Sequence, residues 1–159
     1  MAKSIFEYRQ EVLLKEWEFA QNQISQFDTI ALGIRGWAIT VFGGMLAVSA
    51  TATKPWLIPY AAIPIVLFWL IDALFKSFQH RVIRRSLDIE AYLRSSGFSE
   101  DAARQTTFDF ETPKLASSFS TTFYDRCREL AIAACYANVI LTYLALLIAC
   151  AISSYLLHP

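Results

Sequence analysis

Asp72 is the only charged residue in the run from Pro55 to Phe75. A carboxylate inside a membrane span costs about 2.5–3.5 kcal/mol on insertion scales unless it reaches water or a partner. Two kinds of role fit this residue at this place. Asp72 lines a pore mouth or vestibule, or acts as a proton-sensitive switch; alternatively, it pairs with Lys76, one turn on, or with Arg35. A basic cluster follows directly: Lys76, His80, Arg81, Arg84 and Arg85. Its plain role is to set topology and attract anionic headgroups, at about 1 kcal/mol per charge near the surface. Its sharper role is an anion site. Repeated around an oligomer, these guanidiniums would receive phosphate groups, and a nucleotide or oligonucleotide ligand would fit.

Two uncharged faces carry the remaining polar chemistry. Gly36, Thr40, Gly44, Ala47 and Thr51 recur at helical spacing, as do Asn138, Thr142, Ala145, Ala149 and Ser153. Small residues let membrane helices approach closely, and Asn or Thr side chains hydrogen-bond across them. Such faces serve packing within or between subunits, or they line a water path. Three helices cannot enclose a wide water column, so a pore needs a homo-oligomer with one such face on its axis. Asn138 is then the natural polar ring and Thr142 the next, and bulky neighbours would form a hydrophobic gate.

No enzyme signature is present: the chain has no GxSxG, P-loop, HExxH or GxGxxG. No catalytic residue and no cofactor is expected. His80 sits in a basic stretch, where a solvated or headgroup-contacting role outweighs catalysis. Asp109 and Glu111 form a close acidic pair in a linker, able to hold a cation but by default solvated. Cys127, Cys135 and Cys150 are odd in number and lack CxxC spacing, which speaks against a disulfide framework or a zinc site. They read as thiols that behave as small hydrophobes.

These residues need elements to hold them. The stretch Gly36–Thr53 has no charge, and about 18 residues of helix span roughly 27 Å, close to the hydrocarbon thickness of a bilayer. Pro55–Phe75 is long enough for a second span, with Pro64 deep enough to kink it. Leu130–Leu157 is free of charge over about 28 residues, which predicts one long, tilted third span. Before the first span, Leu13, Trp17, Ala20, Ile24, Phe27, Ala31 and Ile34 alternate steps of 4 and 3, the pattern of a coiled-coil seam. Glu11, Lys15, Glu16 and Glu18 fall on the polar side of that reading. Nothing marks a break before Gly36, so the seam helix can run straight into the span. After the hairpin, Phe75, Phe78, Val82, Ile89 and Leu93 make one apolar face, with Ser86 in its gap. This helix is the simplest antiparallel partner for the N-terminal seam, in the same chain or in another copy. Ser99, Glu100 and Asp101 read as an N-cap and first-turn acids of a short helix.

The expected architecture is therefore an all-α integral membrane protein with three transmembrane helices and cytoplasmic, coiled-coil-like helical extensions. Its parts are an amphipathic helix (1–35), a transmembrane hairpin (36–75), a basic helix and linker (76–129) and a third span (130–159). Composition agrees: hydrophobic residues make up 55% of the 159 and charged residues 18%, against about 25% charged in soluble domains, with mean hydropathy +0.38. The formal net charge of +0 gives no reason to expect nucleic acid bound through overall charge. The N-terminus lacks an apolar core and cleavage site, so no signal peptide is expected. Arg35, Lys76, His80, Arg81, Arg84, Arg85, Arg126 and Arg128 flank one side of the spans, with Lys54 and the penultimate His158 on the other. The positive-inside rule then predicts a cytoplasmic N-terminus and an outside C-terminus in a bacterial inner membrane.

A polar helix with WEFAQNQI, GWAIT at the membrane entry, a short hairpin and a basic helix beginning FQHRVIRRSLDIEAYL resemble the layout of small bacterial SLATT-like membrane proteins over about the first 95 residues. That resemblance implies a pore-forming effector of anti-phage and other conflict systems, paired with a nucleotide-producing enzyme. In the Hailong-type version, a nucleotidyltransferase encoded nearby makes the product that controls a membrane channel. The residues and the resemblance together predict a homo-oligomeric ion channel or pore effector gated through its cytoplasmic helices. The alternative is a non-conducting membrane scaffold that recruits a partner through the N-terminal seam.

Overall fold

The computed structural model describes residues 4–104, 110–114 and 123–157. Asp109 and His158 lie outside the described residues. Every described element is helical, in the order α1 (Ile5–Thr51), a 3-10 segment (Pro55–Ala61), α2 (Ala62–Leu93), α3 (Ser96–Arg104), α4 (Phe123–Ala134) and α5 (Ala137–Leu157). Three helical stretches are long and apolar enough to cross a membrane: Ile5–Thr51, Pro55–Leu93 and Ala137–Leu156. Their most apolar windows are only 22%, 28% and 17% buried, so most of that apolar surface faces outward, as a lipid-facing surface does.

Local chemistry sets the helix ends. The Ser4 hydroxyl accepts the Glu7 amide while the Glu7 carboxylate accepts the Ser4 amide, a reciprocal capping box that starts α1. No Pro interrupts the next 47 residues, and the seam helix and first apolar stretch form one continuous helix. α1 ends where Thr53 adopts a left-handed φ of 50° and the Ser49 hydroxyl donates to the Lys54 carbonyl. Pro55 then opens the 3-10 segment.

Three expectations need correction here. Pro64 does not kink a helix interior: regular α-helix begins only at Ala62, which places Pro64 in the first turn, where its missing N–H costs little. The short helix starts at Ser96 rather than at Ser99, because the Ser95 hydroxyl accepts the Phe98 amide and caps it. The apolar run 130–157 is not one helix. It breaks at Cys135–Tyr136, between α4 and α5, and the Trp69 indole donates to the Ala134 carbonyl that the break leaves over.

The chain divides into two compact units, Met1–Phe27 with Phe78–Thr122, and Asp28–Ser77 with Phe123–Pro159. In the first, the polar unit, Phe6, Leu13 and Ile89 are buried against Trp17, Tyr92, Leu93, Phe98, Ala102 and Phe110. Cross-helix bonds pair Trp17 with Glu90, Gln21 with Ser86, and Ile24 with Gln79. Residue numbers rise on one helix as they fall on the other, so the two helical segments run antiparallel within one chain. Ser86, a gap in the apolar pattern, is thus a hydrogen-bonding position. In the second, the apolar unit, Ala38, Phe42, Ile58, Ala61, Ile65, Val139, Tyr143 and Cys150 form the core.

Candidate functional site

Among the described residues, a buried ion pair stands in each unit, Glu16–Arg85 in the polar one and Arg35–Asp72 in the apolar one. In the polar unit, Glu16 and Arg85 are each only 7% exposed. Arg85 donates through Nε and Nη2 to the two Glu16 oxygens at 2.9 and 3.1 Å, the bidentate geometry that suits guanidinium and carboxylate. The Thr112 hydroxyl and the Lys114 amide add bonds to the same carboxylate at 2.6 and 3.0 Å. Arg85 Nη2 also donates to the Glu111 carbonyl at 2.6 Å, and its guanidinium lies 4.8 Å from the Phe110 ring centroid. Phe110 stacks in turn on Tyr92, whose hydroxyl donates to Asp101. Residues 110–114 are thereby strapped onto the helix pair.

Burial pushes the Glu16 carboxyl up, but the bonds from Arg85, Thr112 and the Lys114 amide outweigh it and hold the group below its ordinary 4.5. The exposed Glu111 carboxyl is also lowered, by its hydrogen bond to the Lys114 ammonium.

In the apolar unit, Asp72 is fully buried and accepts a bond from Arg35 Nε at 2.8 Å. Arg35 stands at the membrane entry of the first span, Asp72 in the second. Tyr143, also fully buried, comes from the third. It is close enough to interact with the charges of both Asp72 and Arg35. One polar residue from each span therefore meets at a single point.

The remaining predicted residues distribute as follows. Asp72 does not open onto the surface of the chain as a pore-mouth carboxylate would; it is committed to Arg35. Lys76 reaches toward Asp28 instead, at 3.8 Å. The basic cluster does not form one open anion receptor. Arg81 and Arg85 are buried, with Arg81 5.8 Å from the Phe78 ring centroid. Lys76 and His80 are half-buried, and Arg84 alone of the cluster is exposed. Helical geometry explains the split: Val82, Arg85, Ser86 and Ile89 share the inward face of α2, and Arg84 falls on the other side. In the first span Gly36, Thr40, Gly44, Ala47 and Thr51 are all exposed. A Cβ added at Gly33, Gly36, Gly43 or Gly44 would meet nothing within 4 Å. Thr40 and Thr51 satisfy their hydroxyls on the Gly36 and Ala47 carbonyls of their own helix. In α5, Asn138 and Ala145 are exposed, and Thr142, Ala149 and Ser153 are half-buried.

Glu16, Thr112, Phe110 and Tyr143 were missed in the sequence as site residues. Glu16 had a signal: it lies three residues after Leu13 and four before Ala20, at the edge of the seam. Tyr143 carries a hydroxyl into an otherwise apolar span, next to the noted Thr142. Among the described residues, no group of His, Cys, Asp and Glu is arranged to hold a metal ion. Comparison of the chain with family models, with curated proteins and with solved structures found no match.

Proposed function

We propose that the protein is a homo-oligomeric membrane channel or pore effector, seated in a bacterial inner membrane with its N-terminus in the cytoplasm. The observation that carries this reading is the outward face of the first span. Four glycines in one helix (Gly33, Gly36, Gly43 and Gly44) weaken it by up to about 1 kcal/mol each relative to alanine, and among the described residues no contact uses their missing side chains. No glycine has a positive φ, so backbone conformation does not demand them either. Close approach of a helix from another copy gives such a face a use. The exposed Asn138 and half-buried Thr142 of α5 then supply polar side chains for an axis between copies. The flanking basic residues support the orientation, and the SLATT-like layout supports the effector role. In this reading an anionic, nucleotide-type ligand would meet Arg84, the exposed cation of the basic cluster, and a nucleotidyltransferase gene would lie nearby.

Ion flux through liposomes carrying the purified protein tests the proposal. Asn138→Leu should cut conductance about tenfold or more while leaving the oligomer intact on size-exclusion chromatography. Absence of flux from the wild type under all conditions, including added oligonucleotide, would leave a non-conducting scaffold as the reading.

A further inference from the structure

We infer that the polar unit carries two complementary outer faces, one on α1 and one on α2, and that the α1 face of one copy docks on the α2 face of the next. This rests on the homo-oligomer proposed above and names how its copies meet. Leu14 and Leu87 are 43% and 57% exposed, although both belong to the polar unit. Exposed charges surround each leucine, with opposite signs on the two faces. One turn from Leu14 is Glu18; one turn from Leu87 is Arg84. Lys15 follows Leu14 in the chain, and Asp88 follows Leu87. The half-buried Glu11 and the exposed Arg94 extend the two faces in the same direction. A leucine ringed by charge is the plan of an interface with an apolar centre and a polar rim.

The heights agree as well as the signs. The Glu16–Arg85 pair fixes where the antiparallel segments of α1 and α2 stand side by side. Leu14 lies two residues before Glu16 and Leu87 two residues after Arg85, so the leucines share one height. Lys15 and Asp88 lie close to that height, and Glu18 and Arg84 fall together on the other side of the pair. Copies repeated around an axis along the helix pair keep their heights and directions. Leu14 of one then meets Leu87 of the next, Glu18 meets Arg84, and Lys15 meets Asp88, with no sliding. Two different faces make a heterologous contact, which a rotation closes into a ring. An α1 face set against another α1 face would instead bring Glu11 and Glu18 onto like charges. Lys15 also lies 3.2 Å from Glu11, and Arg94 3.4 Å from Glu90. Such exposed pairs within a helix are weak and leave both cations able to serve a neighbour. Arg84 is the cation assigned above to an anionic ligand, so ligand and neighbouring Glu18 compete for it.

Oxidative cross-linking of the full chain in detergent tests this. Leu14→Cys and Leu87→Cys are introduced singly and together, with Cys127, Cys135 and Cys150 replaced by alanine. The double variant should give a ladder of linked copies on a non-reducing gel, and each single variant should stay monomeric there. Charge reversal in the otherwise native chain gives a second measurement, by analytical ultracentrifugation. Lys15→Glu should weaken self-association about threefold, the order of one exposed ion pair, and adding Asp88→Lys should restore it. Linked dimers from Leu14→Cys alone would show α1 meeting α1 and overturn the inference. So would the absence of a ladder from a chain that still assembles, or a failure of Asp88→Lys to rescue; either would leave the homo-oligomer itself standing. A wild type that is monomeric throughout would remove the homo-oligomer and this interface together.

Discussion

The two buried ion pairs solve the same problem with different means. Glu16–Arg85 collects donors from a helix and from the strap at 110–114, and the Glu16 carboxylate accepts four hydrogen bonds. Among the described residues, Arg35–Asp72 is joined by one hydrogen bond, from Arg35 Nε, and has the Tyr143 phenol as its polar neighbour. The difference lies in what surrounds each pair. Irregular chain carries unused amides, carbonyls and hydroxyls and can bring them to a charge. Apolar helices have spent their backbone groups on themselves, so a charge among them finds only the few side chains that happen to be polar. The well-supplied pair organises a loop; the poorly supplied pair draws on three spans.

The comparison breaks most visibly at Arg85. Arg85→Ala leaves Glu16 buried without its cation, a change that costs about 3–5 kcal/mol. Hydrogen exchange should show lost protection in residues 5–27 and 78–93, with residues 137–157 little affected. Equal loss across both regions would mean that the pair is not local to the polar unit.

Acid sharpens the comparison at a smaller scale. The folded-state pKa of Glu16 is lowered, so its stabilising contribution is complete above the ordinary value of 4.5 and is lost as pH falls through the folded value. The polar unit should hold its full strength down to about pH 4.5 and loosen below it. Glu16→Gln should be weaker at neutral pH and lack that acid step when unfolding midpoints are followed against pH.

The smallest effects belong to the glycines of the first span. Gly36→Ala and Gly44→Ala introduce Cβ atoms that meet nothing in the chain and should raise monomer stability by up to about 1 kcal/mol. If they instead weaken self-association measured by analytical ultracentrifugation in detergent, the face they line is in contact with another copy.

Most of the helical frame was legible because it rests on periodicity. The seam from Leu13 to Ile34, its antiparallel partner and the apolar spans all follow from where apolar residues recur. What stayed hidden depends on single hydrogen bonds or on contacts distant in sequence. Nothing between Leu130 and Leu157 announces the break at Cys135, since it contains neither Pro nor Gly; its support comes from Trp69, 65 residues away. Glu16 read as polar surface because a heptad count assigns faces without knowing that Thr112 and Lys114 return to that spot. Arg85 read as one of a basic group because spacing alone does not separate it from Arg84, which the helix turns the other way.

Cys150 is buried and its thiol donates to the Ile58 carbonyl of the 3-10 segment at 3.3 Å, while Cys127 and Cys135 stand exposed. The chain thus carries its own chemical clock. Two thiols register how fast a membrane-permeant alkylating reagent arrives at open surface. The third reacts only when α5 parts from the 3-10 segment, so its labelling rate counts those openings without any foreign probe.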